Sequence, residues 1–222
     1  GAFLVGSPED EPERYERETQ HEVTLTRGFW IADTTITQAL WQAVMGENPS
    51  RFKGDSRPVE RVSWEDTYKF IDKMNNMKPA LKLQLPTEAQ WEYACRAGSS
   101  TPFCWGGQIN SELVNFNGTV PYNSGRESEY RGETVDVESF YQNDWGLWQM
   151  HGNVWEWCQD WYADYTKESL PDPVGPEAGD YRVLRGGSWL YGGRYCRSAF
   201  RDILRPVDRR HNAGFRLVRG HD

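Results

Sequence analysis

The residues best suited to chemistry in this chain are few, and most stand alone. Cys95, Cys104, Cys158 and Cys196 form no C-x-x-C pair and have no interleaved histidine, so their spacing argues against a structural zinc site. Cys95 and Cys104 flank a Gly-Ser-Ser-Thr-Pro loop, yet spacing alone fixes no disulfide pairing among the four. His21, His151, His211 and His221 are isolated, and His151, inside His-Gly-Asn-Val-Trp-Glu, reads as a packed imidazole rather than a ligand or base. No nucleophile elbow, phosphate-binding loop or paired-carboxylate motif occurs. What remains is the stretch Arg185 to Arg216, rich in Arg, Tyr and Gly, whose residue types suit recognition better than proton transfer. It is read as the working surface.

Three helices must position that surface. Thr37 to Val44 is periodic. Ser63, with Asp66 three residues on, caps a helix over Trp64 to Met77, with Trp64, Tyr68, Ile71 and Met74 or Asn75 along one side. Thr87, with Gln90 three residues on, caps Glu88 to Ala97, and Gly98 stops it. Strands are expected at Phe29 to Ile31, Val183 to Leu184 and Gly214 to Val218. Beyond Gly98 no helix of ordinary length is expected, and the irregular second half depends on Trp145, Trp148, Trp155, Trp157, Trp161 and Trp189 for packing. With no repeat and no linker-like stretch, one domain over residues 1–222 is the economical reading.

A net charge of -8 argues against general affinity for nucleic acid or anionic lipid. The acid is concentrated between Pro8 and Glu22, whereas Arg182 to Arg219 carries an excess of Arg, read as a steering patch or as solvated loop residues. No run reaches the roughly 18 apolar residues that a membrane span needs. The chain opens mid-pattern at Gly1, so any leader or anchor would lie outside these residues; a partner-binding role makes an extracellular or cell-surface setting the expectation.

Several ordered segments together resemble one family: Gly1-Ala2-Phe3-Leu4-Val5-Gly6-Ser7, Leu85-Pro86-Thr87-Glu88-Ala89-Gln90-Trp91-Glu92-Tyr93-Ala94, His151-Gly152-Asn153-Val154-Trp155-Glu156-Trp157, Arg185-Gly186-Gly187-Ser188-Trp189 and Gly214-Phe215-Arg216. In this order they are similar to the formylglycine-generating enzyme (sulfatase-modifying factor) family, over essentially the whole chain. The resemblance implies an α+β, C-type-lectin-like fold with two main helices, a short sheet and much irregular structure. It also implies chemistry. The family's enzymes carry a copper-binding Cys pair after the Gly-Gly-Ser motif, and here the first position is Tyr191 and the second Cys196. The expectation that follows is a chain that is not an enzyme and has no catalytic residues; its alternative is a copper-dependent oxidase working through Cys196 alone. The resemblance further implies a structural calcium site on Gln149, Gly152, Val154 and Glu156, a mix of hard oxygen donors, with no cofactor otherwise required.

Within the working stretch, a framework of Cys196-Arg197-Ser198-Ala199, Arg201, Pro206, Arg209 and Gly214-Phe215-Arg216 is interleaved with freer positions. These are Leu190, Tyr191, Gly192, Gly193, Arg194, Tyr195, Phe200, Asp202, Ile203, Leu204, Arg205, Val207, Asp208, Arg210, His211 and Asn212, and none is Lys, Glu, Gln, Met or Trp. Those five types make up roughly a fifth to a quarter of average usage, so their absence has a chance probability of only a few per cent. The types present are those reachable from an AAC codon when its adenines are replaced freely. That pattern resembles the variable proteins of diversity-generating retroelements, the spirochaete type most closely. The expected function is therefore binding of a protein or other macromolecular ligand, unidentified, by a hypervariable surface at about residues 190–212. Every freer position except Gly193 is a candidate contact, while Gly192 and Gly193 would let a partner's backbone approach. A fixed accessory or assembly domain is the remaining alternative.

Overall fold

The protein is described by a computed structural model over residues 1–220; His221 lies outside the described residues. Its three helices start where the sequence caps them. α1 (Gln38–Met45) begins at Thr37, whose hydroxyl accepts from the Leu40 amide, and ends at Gly46 in left-handed geometry. α2 (Trp64–Met77) and α3 (Glu88–Arg96) each open on a complete capping box, Ser63 with Asp66 and Thr87 with Gln90. The expected stripe on α2 is slightly rotated: Thr67, Phe70 and Ile71 are buried, and Trp64, Tyr68 and Met74 pack partly buried against the same core.

The strands form three small sheets. β1 (Ala2–Val5) pairs antiparallel with β2 (His21–Thr24), which pairs parallel with β6 (Leu170–Pro171). β3 (Phe29–Ile31) and β4 (Leu83–Gln84) flank β10 (Val218–Gly220). The third sheet has the order β8 (Asp202–Leu204), β7 (Arg182–Arg185), β5 (Trp155–Trp161), β9 (Ala213–Gly214). The single strand expected from Gly214 to Val218 is thus two. The chain leaves β5 at Gly214 and joins β3 at Val218, and between them the Ile36 and Ala32 amides donate to the Phe215 and Leu217 carbonyls.

β5 is the axis of the molecule, and no local signal announced it as a strand. Trp155 and Trp157 enter a core with Trp41, Phe70, Leu184 and Phe215, whereas Cys158 enters a second core with Trp91, Cys95 and Met150. Trp41 lies parallel to Phe70, their ring centroids 5.3 Å apart, and Phe215 stands edge-on to both.

The arginine excess near the C-terminus is not wholly solvated. Arg185, Arg197, Arg201 and Arg216 are buried and matched by carboxylates. Arg216 grips Glu156 with two bonds of 2.7 Å, and Trp91 Nε1 donates to the same carboxylate at 2.7 Å. Arg201 does the same to Glu88 (2.7 and 2.8 Å), Arg185 reaches Glu92 and Glu88, and Arg197 joins Glu11 and Glu18. The acidic N-terminal stretch supplies those last two partners.

Two outcomes follow. Arg216→Ala strands a buried carboxylate and should lower unfolding free energy by about 3–5 kcal/mol in urea titration, whereas the pair Glu156→Gln with Arg216→Met should lose less. Gly187 has φ +76°, and a Cβ there would lie 2.6 Å from Cys196 Sγ and 2.8 Å from the Tyr195 carbonyl. Gly187→Ala should therefore cost about 2–5 kcal/mol, read as a lowered midpoint with unchanged slope.

Candidate ligand-binding face

The turn Arg185-Gly186-Gly187-Ser188-Trp189 leaves β7 and delivers the chain to a helical turn, Gly193–Cys196. From there the side chains sort by depth. Cys196, Arg197, Ser198, Ala199 and Arg201 point inward and are buried, whereas Tyr191 is exposed and Leu190, Arg194 and Tyr195 are half-buried. On β8, Asp202, Ile203 and Leu204 are half-buried, paired opposite Leu184, Val183 and Arg182. Burial pushes the Asp202 carboxyl above its ordinary range. Arg205, Val207 and Arg210 are exposed, and Asp208 closes the turn by donating its amide to the Arg205 carbonyl.

Aromatic contact organises the outer group. Tyr191 packs on buried Trp155 at 5.8 Å and on Tyr195 at 5.2 Å, and Tyr195 stands edge-on to Phe200 at 5.0 Å. Tyr15 completes it from the N-terminal segment, touching Phe200 at 5.5 Å, with Arg194 over its ring at 4.3 Å. A second group forms where His211 meets Trp189 at 5.3 Å and Phe52 at 6.4 Å, with Tyr130 parallel to Trp189. Burial, then Arg51, Arg61 and Arg210, hold the His211 imidazole below its usual pKa. None of those three arginines makes an ion pair among the described residues; the neighbouring Arg209 pairs with Asp66 at 2.7 Å. The loop is docked rather than free: the Glu65 amide donates to the Pro206 carbonyl and the Arg61 amide to that of Arg210.

Three of the candidate contacts, Phe200, Asn212 and Gly192, lie elsewhere, and so does Gly193. Phe200 is 1 % exposed and belongs to the main core, and buried Asn212 donates to Ser188 Oγ at 3.0 Å. Gly192 and Gly193 are close to backbone, but to the protein's own: added Cβ atoms would meet Val120 and Tyr122 within 3 Å. Those glycines make room for the loop at Val120, not for a partner. Tyr15, Arg51, Phe52, Arg61 and Tyr130, which the sequence reading did not include, arrive from distant segments, and no local pattern marks them.

The two expected side-chain metal donors are engaged with protein groups. Both Glu156 oxygens receive Arg216, one also receives Trp91, and Gln149 donates to the Asp136 and Ser139 carbonyls while its own oxygen accepts from Asn153. Gly152 and Val154, expected to offer backbone carbonyls, are both buried. A carboxylate neutralised by a bidentate guanidinium does not fit a Ca²⁺ ligand. Among the described residues, no group of three or more His, Cys, Asp or Glu side chains is placed to hold a metal ion. Tyr191 and Cys196 do not fit a two-thiolate copper site either: the phenol is at the surface, and the Cys196 thiol is fully buried, where desolvation pushes its pKa to about 12. Cys95, Cys104 and Cys158 are likewise free thiols. His151 is the packed residue expected: Nδ1 donates to the Cys196 carbonyl at 2.7 Å, Nε2 accepts from the Cys104 amide at 3.2 Å, and burial lowers its pKa to about 4.

Comparison with known proteins places this geometry. Residues 1–221 match the sulfatase-modifying factor enzyme 1-like domain family. The chain is 35% identical over 203 residues to the formylglycine-generating enzyme of Thermomonospora curvata, covering 86% of this chain and 63% of that protein. With the mouse enzyme it shares 31% over 210 residues, 90% and 54% of the two chains. The chain thus spans about half to five-eighths of these relatives' length. Among solved structures it superposes on Treponema denticola variable protein 1 with TM-score 0.80 at 30% identity, covering 98% and 93% of the two chains. On PvdO from Pseudomonas aeruginosa the values are 0.82 and 26%, with 100% and 92% covered. These relations confirm the α+β, C-type-lectin-like fold and overturn the expectation, drawn from Tyr191, that enzymes are the wrong class: curated relatives 31–35% identical over most of the chain are named as enzymes. One substituted position does not outweigh agreement along the whole scaffold. The chain belongs to the sulfatase-modifying factor enzyme 1-like family.

Proposed function

We propose that this chain binds a macromolecular ligand through the face carrying Tyr191, Arg194, Tyr195, Ile203, Leu204, Arg205, Val207, Arg210 and His211, that a retroelement diversifies this face, and that the setting is extracellular or cell-surface. The carrying observation is how far the sequence partition agrees with depth. Of the positions read as constant framework, Cys196 to Ala199, Arg201 and Gly214 to Arg216 are buried, while Pro206 is half-buried and Arg209 exposed; of the positions read as free, all but Gly192, Gly193, Phe200 and Asn212 are exposed or half-buried. Rigid aromatic side chains and arginines on a scaffold of buried ion pairs are well suited to contact. The three guanidiniums around His211, which make no ion pair among the described residues, favour an acidic partner surface. Likeness to a protein named as variable supports the diversification.

Family membership favours a second reading, oxidation of a cysteine in a substrate polypeptide. Turnover of a Cys-containing sulfatase peptide, lost in Cys196→Ala, would carry it.

The first reading requires, beside a reverse transcriptase gene, a near-identical template repeat with AAC codons at the accessible positions; a genome without one overturns the diversification. The surface assignment has its own check. Replacing Tyr191, Tyr195, Arg205 and Arg210 together by Ala should leave unfolding free energy within about 1.5 kcal/mol of the parent, because their side chains carry little of the core. Phe200→Ala alone should cost about 3–5 kcal/mol.

A further inference from the structure

A cavity of about 350 Å³ opens among β1, β2, the first turn of α3, the end of β5 and the strap of residues 163–176. Val5, Val23 and Ala89 back it from the core and are almost wholly buried, Leu170, Pro171 and Val174 of the strap give its accessible apolar wall, and Tyr165, which meets His21 at 4.6 Å, closes one side. Asp160 lines it. This carboxyl is 5 % exposed, and its Oδ2 accepts from the Glu88 amide at 2.8 Å, but among the described residues it pairs with no cation. Its neighbours are already matched. Glu88 is held by Arg201 at 2.7 and 2.8 Å and by Arg185 at 3.4 Å, and Glu92 by Arg185 and by Arg96 at 2.8 Å. Asp160 is therefore the carboxyl left over from the ion-pair lattice, placed where a ligand can reach it.

We propose that this cavity binds a small organic cation, a primary ammonium group on an apolar body, with the ammonium paired to Asp160 and the body against Leu170, Pro171 and Val174. An anion is disfavoured beside Asp160 and Glu88, and a neutral guest leaves the carboxylate without a counter-charge. The volume is near the lower end of the roughly 300–1,000 Å³ range of small-molecule sites, too small for a peptide segment. The site is separate from the face proposed above and does not rest on it.

The charge state gives a further signature. Burial, and after it the Glu88 carboxylate, raise the Asp160 pKa to about 7. The other groups that face it are Arg201, Arg182 on β7, Tyr68 on α2, Cys158 on its own strand, and the cavity residues His21 and Tyr165. Below pH 7 the carboxyl is protonated, and a bound ammonium must displace that proton, so affinity rises with pH through this range and levels off above it.

Calorimetry on the whole chain with 2-phenylethylamine, 2-phenylethanol and 3-phenylpropionate tests the proposal. The amine should bind at least about tenfold tighter than either shape-matched control, and about tenfold tighter at pH 8 than at pH 6. Asp160→Asn retains an acceptor for the Glu88 amide and should erase the amine's advantage. Ala163→Phe, at the exposed mouth, should weaken binding while leaving the fold unchanged. Equal affinity for all three compounds, absence of amine binding, or an amine affinity unmoved by Asp160→Asn would overturn it.

Discussion

Four guanidiniums, those of Arg185, Arg197, Arg201 and Arg216, lie out of water in this protein, and the carboxylates that match them come from every part of the chain: Glu11 and Glu18 from the N-terminal segment, Glu88 and Glu92 from α3, Glu156 from β5. Each charge is tolerable inside only while its partner is present, because an unpaired buried ion costs several kcal/mol. The lattice therefore ties the N-terminal segment, α3 and the sheet of β5 and β7 into one arrangement that cannot slip by a residue. With so little regular secondary structure, backbone hydrogen bonding alone does not provide that registration, and side-chain bonds to carbonyls, such as Arg216 to Ala32, Asp33 and Trp148, take its place.

The same lattice explains how the candidate face is held. Arg197 and Arg201 lie within the stretch that carries the accessible side chains, and each is drawn inward by its carboxylate, so residues between them have no freedom to invert. Gly186 and Gly187 permit the tight turn that begins the stretch, at φ values of +93° and +76°. Tyr191 and Tyr195 then rest on Trp155 and Phe200, and the surface is a thin layer over aromatic core. Such a layer tolerates exchange of its outer residues because little of the folding free energy depends on them.

Local chemistry made much of this legible in the sequence. Caps are short-range, so Thr37, Ser63 and Thr87 marked the helix starts, and the separation of framework from free positions largely anticipated burial in the 190–212 stretch. The failures share one cause. β5 is buried on both faces and lacks the alternation that marks a strand, Phe200 looks like its accessible neighbours until Trp155 is placed beneath it, and Glu156 reads as a metal donor until Arg216 arrives from 60 residues away. Long-range pairing decides all three. The arginine excess misled for the same reason, since composition does not distinguish a solvated guanidinium from one matched inside.

Asp160 shows what the lattice leaves over. Charge matching around α3 is complete without it: Glu88 and Glu92 are shared among Arg185, Arg201 and Arg96. A carboxyl that is both buried and surplus costs stability progressively as pH rises from the ordinary carboxylate range to its raised pKa, because the unfolded chain ionises freely where the folded one must either ionise in a poor environment or stay protonated. That cost is largest above pH 7 and disappears below the ordinary carboxylate range. The Glu88 amide at the start of α3 calls for an acceptor at this position, which an asparagine would supply as well as an aspartate, so it is the charge of Asp160 that has no partner among the described residues. A cationic guest supplies the missing counter-charge, which is the physical reason to regard the cavity as a site rather than a packing defect.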